Sequence, residues 1–528
     1  MPGDPKNYSE NQARVGLDAI DHVVVLMMEN RSFDNVLGYL YPDGVPPCAP
    51  LGKSFNGLLN PDGSPKDLYN PVPADAKFRP PHGLEIVRVG PVPDGVYNQP
   101  YPDPGEDYPH VNTQLFNDLS AGTNSPYNLP EGNPDPAMMG FITDYIENFK
   151  DVESREGNPD NPGRDPTYDE YRQIMQCYTP AHLPVLSALA CAFGVFDHWY
   201  CAVPSQTFCN RAFWHAGTSW GRLTNDPYEV WKVGSGAPTL FNQISANAAT
   251  SGIDWSIYSG NEPYFSLTGY IHADALARFV KTDHFKSIED FFAECAAGAL
   301  PSYSFIEPCV TNPHNDMHPS STSGQVDGND PPSSMTMGEL LIWQVYEAVR
   351  TSAAAKGNNA QNTLLVITFD EAGGCYDHVA PPAAVAPDLG DNPPQYDFDY
   401  RRLGMRVPMI MIAAGIAPNT IVNRPMDHCS FMNTLRKRWE KDVPGEFQPL
   451  TARVAAAPDF SEVFTATCPR PACTWPIIPK PDVPDLKDLP EIPLAPLNHL
   501  QMSCLAAGRH LAEIGHPVAM DGGMCRQR

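Results

Sequence analysis

Four short apolar runs limit how this chain can fold. They are Asp21-His-Val-Val-Val-Leu-Met-Met-Glu29, Pro301-Ser-Tyr-Ser-Phe-Ile-Glu307, Thr363-Leu-Leu-Val-Ile-Thr-Phe-Asp370 and Arg406-Val-Pro-Met-Ile-Met-Ile-Ala-Ala414. None alternates cleanly between apolar and polar residues, so each reads as a strand buried on both faces, as in a parallel sheet covered by helices. The runs lie between residues 21 and 414 of a 528-residue chain. That spread favours one large α/β domain assembled from distant segments over the three or four domains that length alone would allow at about 150 residues each.

The segments between the runs agree with this. Residues 335–352 carry apolar side chains at helical spacing, stop before the polar loop Lys356-Gly-Asn-Asn-Ala360 and lead into the strand at Thr363, a helix-to-strand crossover. Residues 183–196 read as a buried helix entering a strand, and residues 211–217 as a further helix. Proline contributes 58 of the 528 residues, about twice its usual share of ~5%. Residues 42–110 and 121–168, rich in Pro, Asp, Asn and Gly, read as long loops of the kind that form sites. Residues 469–496 hold nine prolines and read as an extended surface strap. Residues 497–514 regain helical periodicity, as a terminal helix docking back. The expected organisation is a catalytic domain over 1–465, with the Pro-rich strap and C-terminal helix of 466–528 packed on it.

Charge excludes one class of partner. Lys and Arg number 35 against 62 Asp and Glu, a net charge of −27, whereas a nucleic-acid binder needs a dense cationic array to displace counterions. No uninterrupted apolar run is long enough to span a bilayer, so the expected membrane contact is at most peripheral. Met1-Pro-Gly-Asp-Pro-Lys6 lacks the apolar core of a signal peptide, which leaves localisation open between retention and a removed leader. The 13 cysteines are odd in number and include no Cys-x-x-Cys pair. Cys201/Cys209 and Cys468/Cys473 are spaced to bridge locally, and buried free thiols are the alternative.

The chemistry sits at strand ends. Glu29-Asn30 follows the first run and Asp370-Glu371 the third. In doubly wound sheets, ligands bind beyond the carboxyl ends of the strands. Either pair alone would also serve to cap a helix. Three carboxylates and an amide brought to one edge would repel one another without a hard cation, so together they point to a metal site. The third element is Cys201-Ala-Val-Pro-Ser-Gln-Thr-Phe-Cys-Asn-Arg211. Its Thr207 stands ahead of the expected helix, where a hydroxyl is commonly an N-cap but where free backbone N–H groups also favour an anion such as phosphate. A cation shared with Thr207 would make that hydroxyl a nucleophile.

Four blocks carry a family resemblance: Glu29-Asn-Arg-Ser-Phe-Asp34, Val203-Pro-Ser-Gln-Thr-Phe-Cys-Asn-Arg211 followed by Gly217-Thr-Ser219, Asn315-Asp-Met-His-Pro319, and Phe369-Asp-Glu-Ala-Gly-Gly-Cys-Tyr-Asp-His-Val379. In this order they resemble the signature of the phosphoesterase family, which holds bacterial phospholipases C, plant non-specific phospholipases C and bacterial acid phosphatases. The resemblance implies an alkaline-phosphatase-like α/β/α sandwich with a mainly parallel sheet and long Pro-rich loops. It also implies one divalent cation on Glu29, Asn30, Thr207, Asp370 and Glu371, with Thr207 as nucleophile. His318 and His378 would contact the phosphoryl group or protonate the leaving alkoxide. His110, Asn210, Arg211, Asp316 and Asp377 would bind substrate or support the site. All-oxygen ligation favours Mg, Ca or Mn, with Zn an alternative.

Two departures stand out. The family usually reads Asp-Glu-His-Gly-Gly where this chain has Asp370-Glu-Ala-Gly-Gly374, and Gln-Pro-Asn-Arg where it has Phe208-Cys-Asn-Arg211. Neither removes an expected ligand or the nucleophile. The resemblance therefore implies a metal-dependent phosphoric ester hydrolase acting on a phospholipid or a small phosphate ester. The leading expectation is phospholipase C-type cleavage through a phosphothreonine, the alternative an acid phosphatase on soluble monoesters. A sulfatase is disfavoured, because Cys201-Ala-Val-Pro204 misplaces the proline of Cys-x-Pro-x-Arg and lacks its arginine. From another class, a silent phosphate- or lipid-binding protein would be supported only by Ala372. Family members are often secreted or periplasmic. His22 is expected to be structural, His314 and His428 to be ordinary buried or surface histidines, and Trp199, Trp214 and Trp220 to pack the core.

Overall fold

A computed structural model describes residues 16–118, 135–150, 164–225, 231, 237–261, 266–279, 282–310, 314–319, 334–389, 392–483 and 503. Its centre is a sheet of eight strands: β1 (His22–Met28), β2 (Gly194–Phe196), β3 (Trp255–Ser259), β4 (Phe285–Ser287), β5 (Tyr303–Glu307), β6 (Thr363–Phe369), β7 (Met409–Ile412) and β8 (Thr420–Val422), in the order β8-β2-β7-β6-β1-β5-β3-β4. β1 lies between β5 and β6 and pairs with both in parallel. All seven residues of β6, and all of β1 but the part-exposed His22, are buried, which is why their sequences run apolar without alternation.

Three of the four expected strands are parallel, and the fourth is not. β7 runs antiparallel to both β6 and β2. A parallel partner for β6 would need a crossover covering the length of the sheet. Among the described residues between Phe369 and Met409 the one helical element is the short 3-10 turn Gln395–Asp397. The chain therefore re-enters the sheet from the edge at which it left.

Seven helices position the site. They are α1 (Phe33–Leu37), α2 (Tyr108–Phe116), α3 (Phe141–Lys150), α4 (Pro184–Ala192), α5 (Thr207–Ala216), α6 (Ser334–Thr351) and α7 (His428–Glu440). α4 packs on α6, and α5 on α7. The second contact is aromatic, with Trp214 stacked on Phe431 at 4.4 Å. Trp199, Trp214 and Trp220 are all buried, as expected of core residues.

The stretches read as loops hold more structure than that. Within 42–110 the strands Tyr69–Pro71 and Ile86–Arg88 form an antiparallel hairpin. Within 121–168 lies α3, whose Phe141, Ile142, Tyr145 and Ile146 join Val72 and Val87 of the hairpin in a second apolar cluster. The strap is seated where it is described: Trp475 packs edge-on against Phe193 at 5.0 Å, and Arg470 donates to the carbonyls of Ala192 and Ile416 at 2.8 Å each. The helix expected over 497–514 lies outside the described residues apart from Ser503. Cys201, Cys209, Cys468 and Cys473 are free thiols, the first two buried and the last two exposed, so neither local bridge is formed.

Candidate active site

The register of two strands builds the first half of the site. His22 pairs with Thr363 and each following residue with the next, up to Met28 with Phe369. Glu29 and Asp370 therefore leave the sheet side by side, and the Asp370 amide donates to Met28 O at 3.2 Å. Asn30 adopts a left-handed φ of 54°, a conformation that Asn tolerates better than most residues. Its amide N–H reaches Asp370 Oδ1 at 3.2 Å. The glycine pair after Glu371 follows from this packing: a Cβ on Gly373, whose φ is +58°, would run into the Asn30 carbonyl.

The second half comes from α5. Its first residue is Thr207, and Gln206 holds the N-cap position without a side-chain cap. The helix thus begins at the hydroxyl, four residues before the expected start, and Thr207 is not the cap. Thr207 Oγ1 lies 3.5 Å from both Glu29 Oε2 and Asn30 Oδ1. Those separations are long for O–H···O bonds but suit oxygens sharing one hard cation, whose ligands sit about 2–2.5 Å from the ion. Glu371 Oε2 accepts from the Gly373 amide at 2.6 Å, while its Oε1 is buried without a hydrogen-bond partner. Burial holds Glu29 well above the usual carboxylate range, Arg211 opposing and Asp370 adding to the effect. Burial, then Glu106 and Asp370, does the same to Glu371. Such a set carries protons unless a cation takes their place. The oxygens of Glu29, Asn30 and Thr207 that meet here fit a hard cation, with the unpartnered Glu371 Oε1 as a further donor, while Asp370 Oδ1 and Oδ2 are taken by the Asn30 amide and Arg211.

Arg211 donates to Asp370 Oδ2 at 3.2 Å and to Glu29, with both carboxylates fully buried, while its Nη1 is buried without a hydrogen-bond partner. Asn210 likewise braces the turn before Thr207: its Oδ1 accepts from the Val203 amide at 3.0 Å and its Nδ2 donates to Ser205 O at 2.6 Å. Asp316 accepts from His314 Nδ1 at 2.9 Å and from the His318 amide at 3.0 Å. His110 donates from Nδ1 to Asp144 at 2.8 Å. All four thus hold at least one buried protein contact at the site.

His318 and His378 part company. His318 Nδ1 donates to Pro319 O at 2.8 Å, leaving Nε2 to accept from Asn30 Nδ2 at 2.9 Å. His378 belongs to a second polar cluster. Its Nδ1 meets Asp34 Oδ2 at 2.5 Å, while Arg406 bonds Asp34 Oδ1 and Asp377 Oδ1 at 2.9 Å each. Asp377 is thereby a partner of Arg406 and is buried with it. Burial alone would raise Asp34, but His378 and Arg406 outweigh it and hold its carboxyl at about 2.

One residue escaped the sequence reading. Glu106 accepts from Asn30 Nδ2, accepts from Gln206 Nε2 at 3.3 Å and lies 3.8 Å from His318 Nε2. Burial and Asp103 push it up to about 8 against the pull of His318. Its signal was the turn Asp103-Pro-Gly-Glu106 just before α2, where Gly105 lies too close to the His110 ring to carry a side chain. The Asn30 amide fills the space between Glu106 and His318. The departures from the family pattern also have explanations: Ala372 is buried in the second apolar cluster, and Phe208 packs on Trp231 at 5.7 Å. His428 Nε2 donates to the Asp370 carbonyl at 2.6 Å, supporting the site from beneath, and His22 bonds Pro301 O at 3.0 Å, as a structural histidine should.

The phosphoesterase family matches residues 20–443. The chain belongs to that family. Membership makes it a phosphoric ester hydrolase. Among phosphoesterase relatives, it is 28% identical over 517 residues to non-specific phospholipase C3 of Arabidopsis thaliana, covering 94% of this chain and 84% of the relative. It is 24% identical over 513 residues to phospholipase C B of Mycobacterium tuberculosis, covering 88% and 81%. Among solved structures it is similar to a Vibrio parahaemolyticus protein in the alkaline phosphatase superfamily, with a TM-score of 0.31 and 11% identity over 54% of this chain and 66% of that one.

Proposed function

We propose that this phosphoesterase cleaves the headgroup ester of a phospholipid in the manner of a phospholipase C, with Thr207 as the nucleophile. The observation that carries the reading is the position of Thr207 Oγ1, at the first residue of α5 and 3.5 Å from oxygens of both Glu29 and Asn30. Glu29, Asn30, Thr207, Asp370 and Glu371 would hold the divalent cation, which when bound would stabilise the charge of a Thr207 alkoxide and of the phosphoryl oxygens. Thr207 Oγ1 forms a bond to phosphorus as the bond to the glycerol oxygen breaks, giving a phosphothreonine and diacylglycerol. Water then attacks phosphorus and frees the phosphorylated headgroup. The protein's part is largely placement and charge.

The residues on the leaving-group side are His318 and Glu106, joined through Asn30 and 3.8 Å apart. Glu106, pushed up to about 8, holds a proton at neutral pH and can release it to the departing alkoxide. A diester suits this site better than a monoester. Glu29 lies beside the hydroxyl, and the charge of Arg211 is taken up by Glu29 and Asp370. A singly charged diester meets less repulsion there than a doubly charged monoester.

Two assays test the reading together. A short-chain phosphatidylcholine and a chromogenic phosphomonoester are offered to the wild type and to Thr207→Ala. The expected result is preferential diester turnover, lost by roughly ten-thousand-fold in the variant while the fold is kept. Turnover of the monoester alone would overturn the substrate assignment, and an active Thr207→Ala would overturn the nucleophile.

A further inference from the structure

We infer that the tip of the 69–88 hairpin is the surface on which the protein rests against a phospholipid bilayer carrying anionic lipid. The inference builds on the phospholipase reading and adds the part of the molecule that meets the lipid. Between Tyr69–Pro71 and Ile86–Arg88 the chain passes through a 3-10 turn at Pro81–Gly83. Phe78 and Leu84 stand out from this tip at 41% and 53% exposure, two of the five large hydrophobic side chains exposed among the described residues. The other three, Val45, Val385 and Ile477, lie on separate segments, as single exposed apolar residues commonly do.

Cations flank Phe78 directly, although the tip over 72–85 is charge-balanced, with Lys77 and Arg79 set against Asp75 and Glu85. Residues 77–84 hold Lys77, Arg79 and His82 and no acid, in a protein of net charge −27. Arg88 follows on the returning strand. The acids that face these cations come from neighbouring positions: Asp165 at 3.5 Å from Lys77, Glu85 at 3.8 Å from Arg79, and Asp67 beside Arg88. Pairs this exposed are weak and exchange partners readily, so lipid phosphates can replace the carboxylates. Screening over about 8 Å at physiological ionic strength shields a bilayer at the tip from the acids on the rest of the chain. Apolar side chains flanked by Lys and Arg are the chemistry of the membrane interface: the rings and methyls enter the acyl boundary while the cations stay at phosphate level.

The tip is also held ready. Val72 N donates to Glu85 O at 2.8 Å across the hairpin, and Tyr171 Oη donates to the Phe78 carbonyl at 2.8 Å. Docking therefore orders little new backbone. The stem adjoins the catalytic region from two directions. Lys66 Nζ, at its root, lies 3.4 Å from His378 Nε2. α3, on which the hairpin packs, donates through Asn148 to the Asp103 carbonyl at 2.9 Å, three residues before Glu106.

The test uses the full chain and needs no turnover. Wild type, Phe78→Ser/Leu84→Ser and Lys77→Glu/Arg79→Glu are sedimented with vesicles of phosphatidylcholine alone and of phosphatidylcholine with phosphatidylserine. The expected result is binding of the wild type that strengthens with phosphatidylserine and falls several-fold in both variants. Turnover of monomeric short-chain phosphatidylcholine should stay unchanged in both. Equal sedimentation of wild type and Phe78→Ser/Leu84→Ser, or no sedimentation of the wild type, overturns the inference. Failure of all forms to hydrolyse any phospholipid overturns the substrate reading instead, and the sedimentation difference still decides the docking.

Discussion

Asn30 donates through Nδ2 to Glu106 while its Oδ1 lies 3.5 Å from Thr207 Oγ1. One amide thus has its two ends assigned by different neighbours. Glu106 and His318 Nε2 take the N–H groups, which turns the oxygen toward Thr207 Oγ1. Outer partners of this kind orient the groups that hold a metal.

Removing that acceptor should loosen the cation without touching a ligand. For Glu106→Ala we expect affinity for added Mn²⁺, measured by calorimetric titration of the metal-free protein, to fall about 10- to 100-fold. Glu106→Gln, which keeps one acceptor oxygen, should lie between the two. An unchanged affinity in Glu106→Ala would show that the amide needs no such guide.

Gly373→Ala tests the packing beneath the same amide. With φ at +58° and the Asn30 carbonyl in the path of a Cβ, the substitution should cost about 1–3 kcal/mol of stability. It should also lower turnover by shifting Asn30. Thermal unfolding and steady-state kinetics on the same preparation check both effects, and a fully active, equally stable variant would contradict the geometry.

The second cluster makes an acid-stability prediction. Asp34 is held at about 2, below its ordinary 3.8, so the folded state binds its proton less readily than the unfolded state does. Its contribution is present above about pH 4 and is lost as pH falls through about 2, amounting to roughly 2 kcal/mol. Denaturant unfolding between those limits should show a shallower acid limb in Asp34→Asn than in the wild type. Parallel limbs would mean that Arg406 and His378 do not hold the carboxylate as described.

Chelation should weaken substrate binding as well as chemistry. Without a cation, Arg211 is already shared by Glu29 and Asp370, and the site loses the positive charge that draws in an anionic ester. Calorimetry of a non-hydrolysable phosphodiester with the metal-free protein should show affinity reduced at least about tenfold relative to the loaded form. Equal affinity would place the substrate away from these carboxylates.

Much of this was readable in advance, for identifiable reasons. β1 and β6 are buried along almost their whole length, so an apolar run marks each, and the residue after each run is a ligand candidate. β3 was missed because Trp255-Ser-Ile-Tyr-Ser259 breaks its apolar character with serines that the sheet nonetheless buries. α3 was hidden by the proline- and asparagine-rich sequence around it. The direction of β7 depends on whether the chain crosses the sheet, which no local pattern reports. Glu106 lies in no motif, since what matters is the folding of the 103–106 turn onto Asn30. Arg211 was found without its partners, because Glu29 and Asp370 are 182 and 159 residues away.

Those distances carry a consequence for synthesis in the cell. β1 is made early, but its register partner β6 begins at Thr363. A chain emerging from the ribosome that already contains Thr207 has neither Asp370 nor Glu371 to complete the ligand set. Until more than two thirds of the length has been translated, the nascent chain lacks the second half of the proposed ligand set, and a fragment truncated before that point is expected to hydrolyse no phosphate ester.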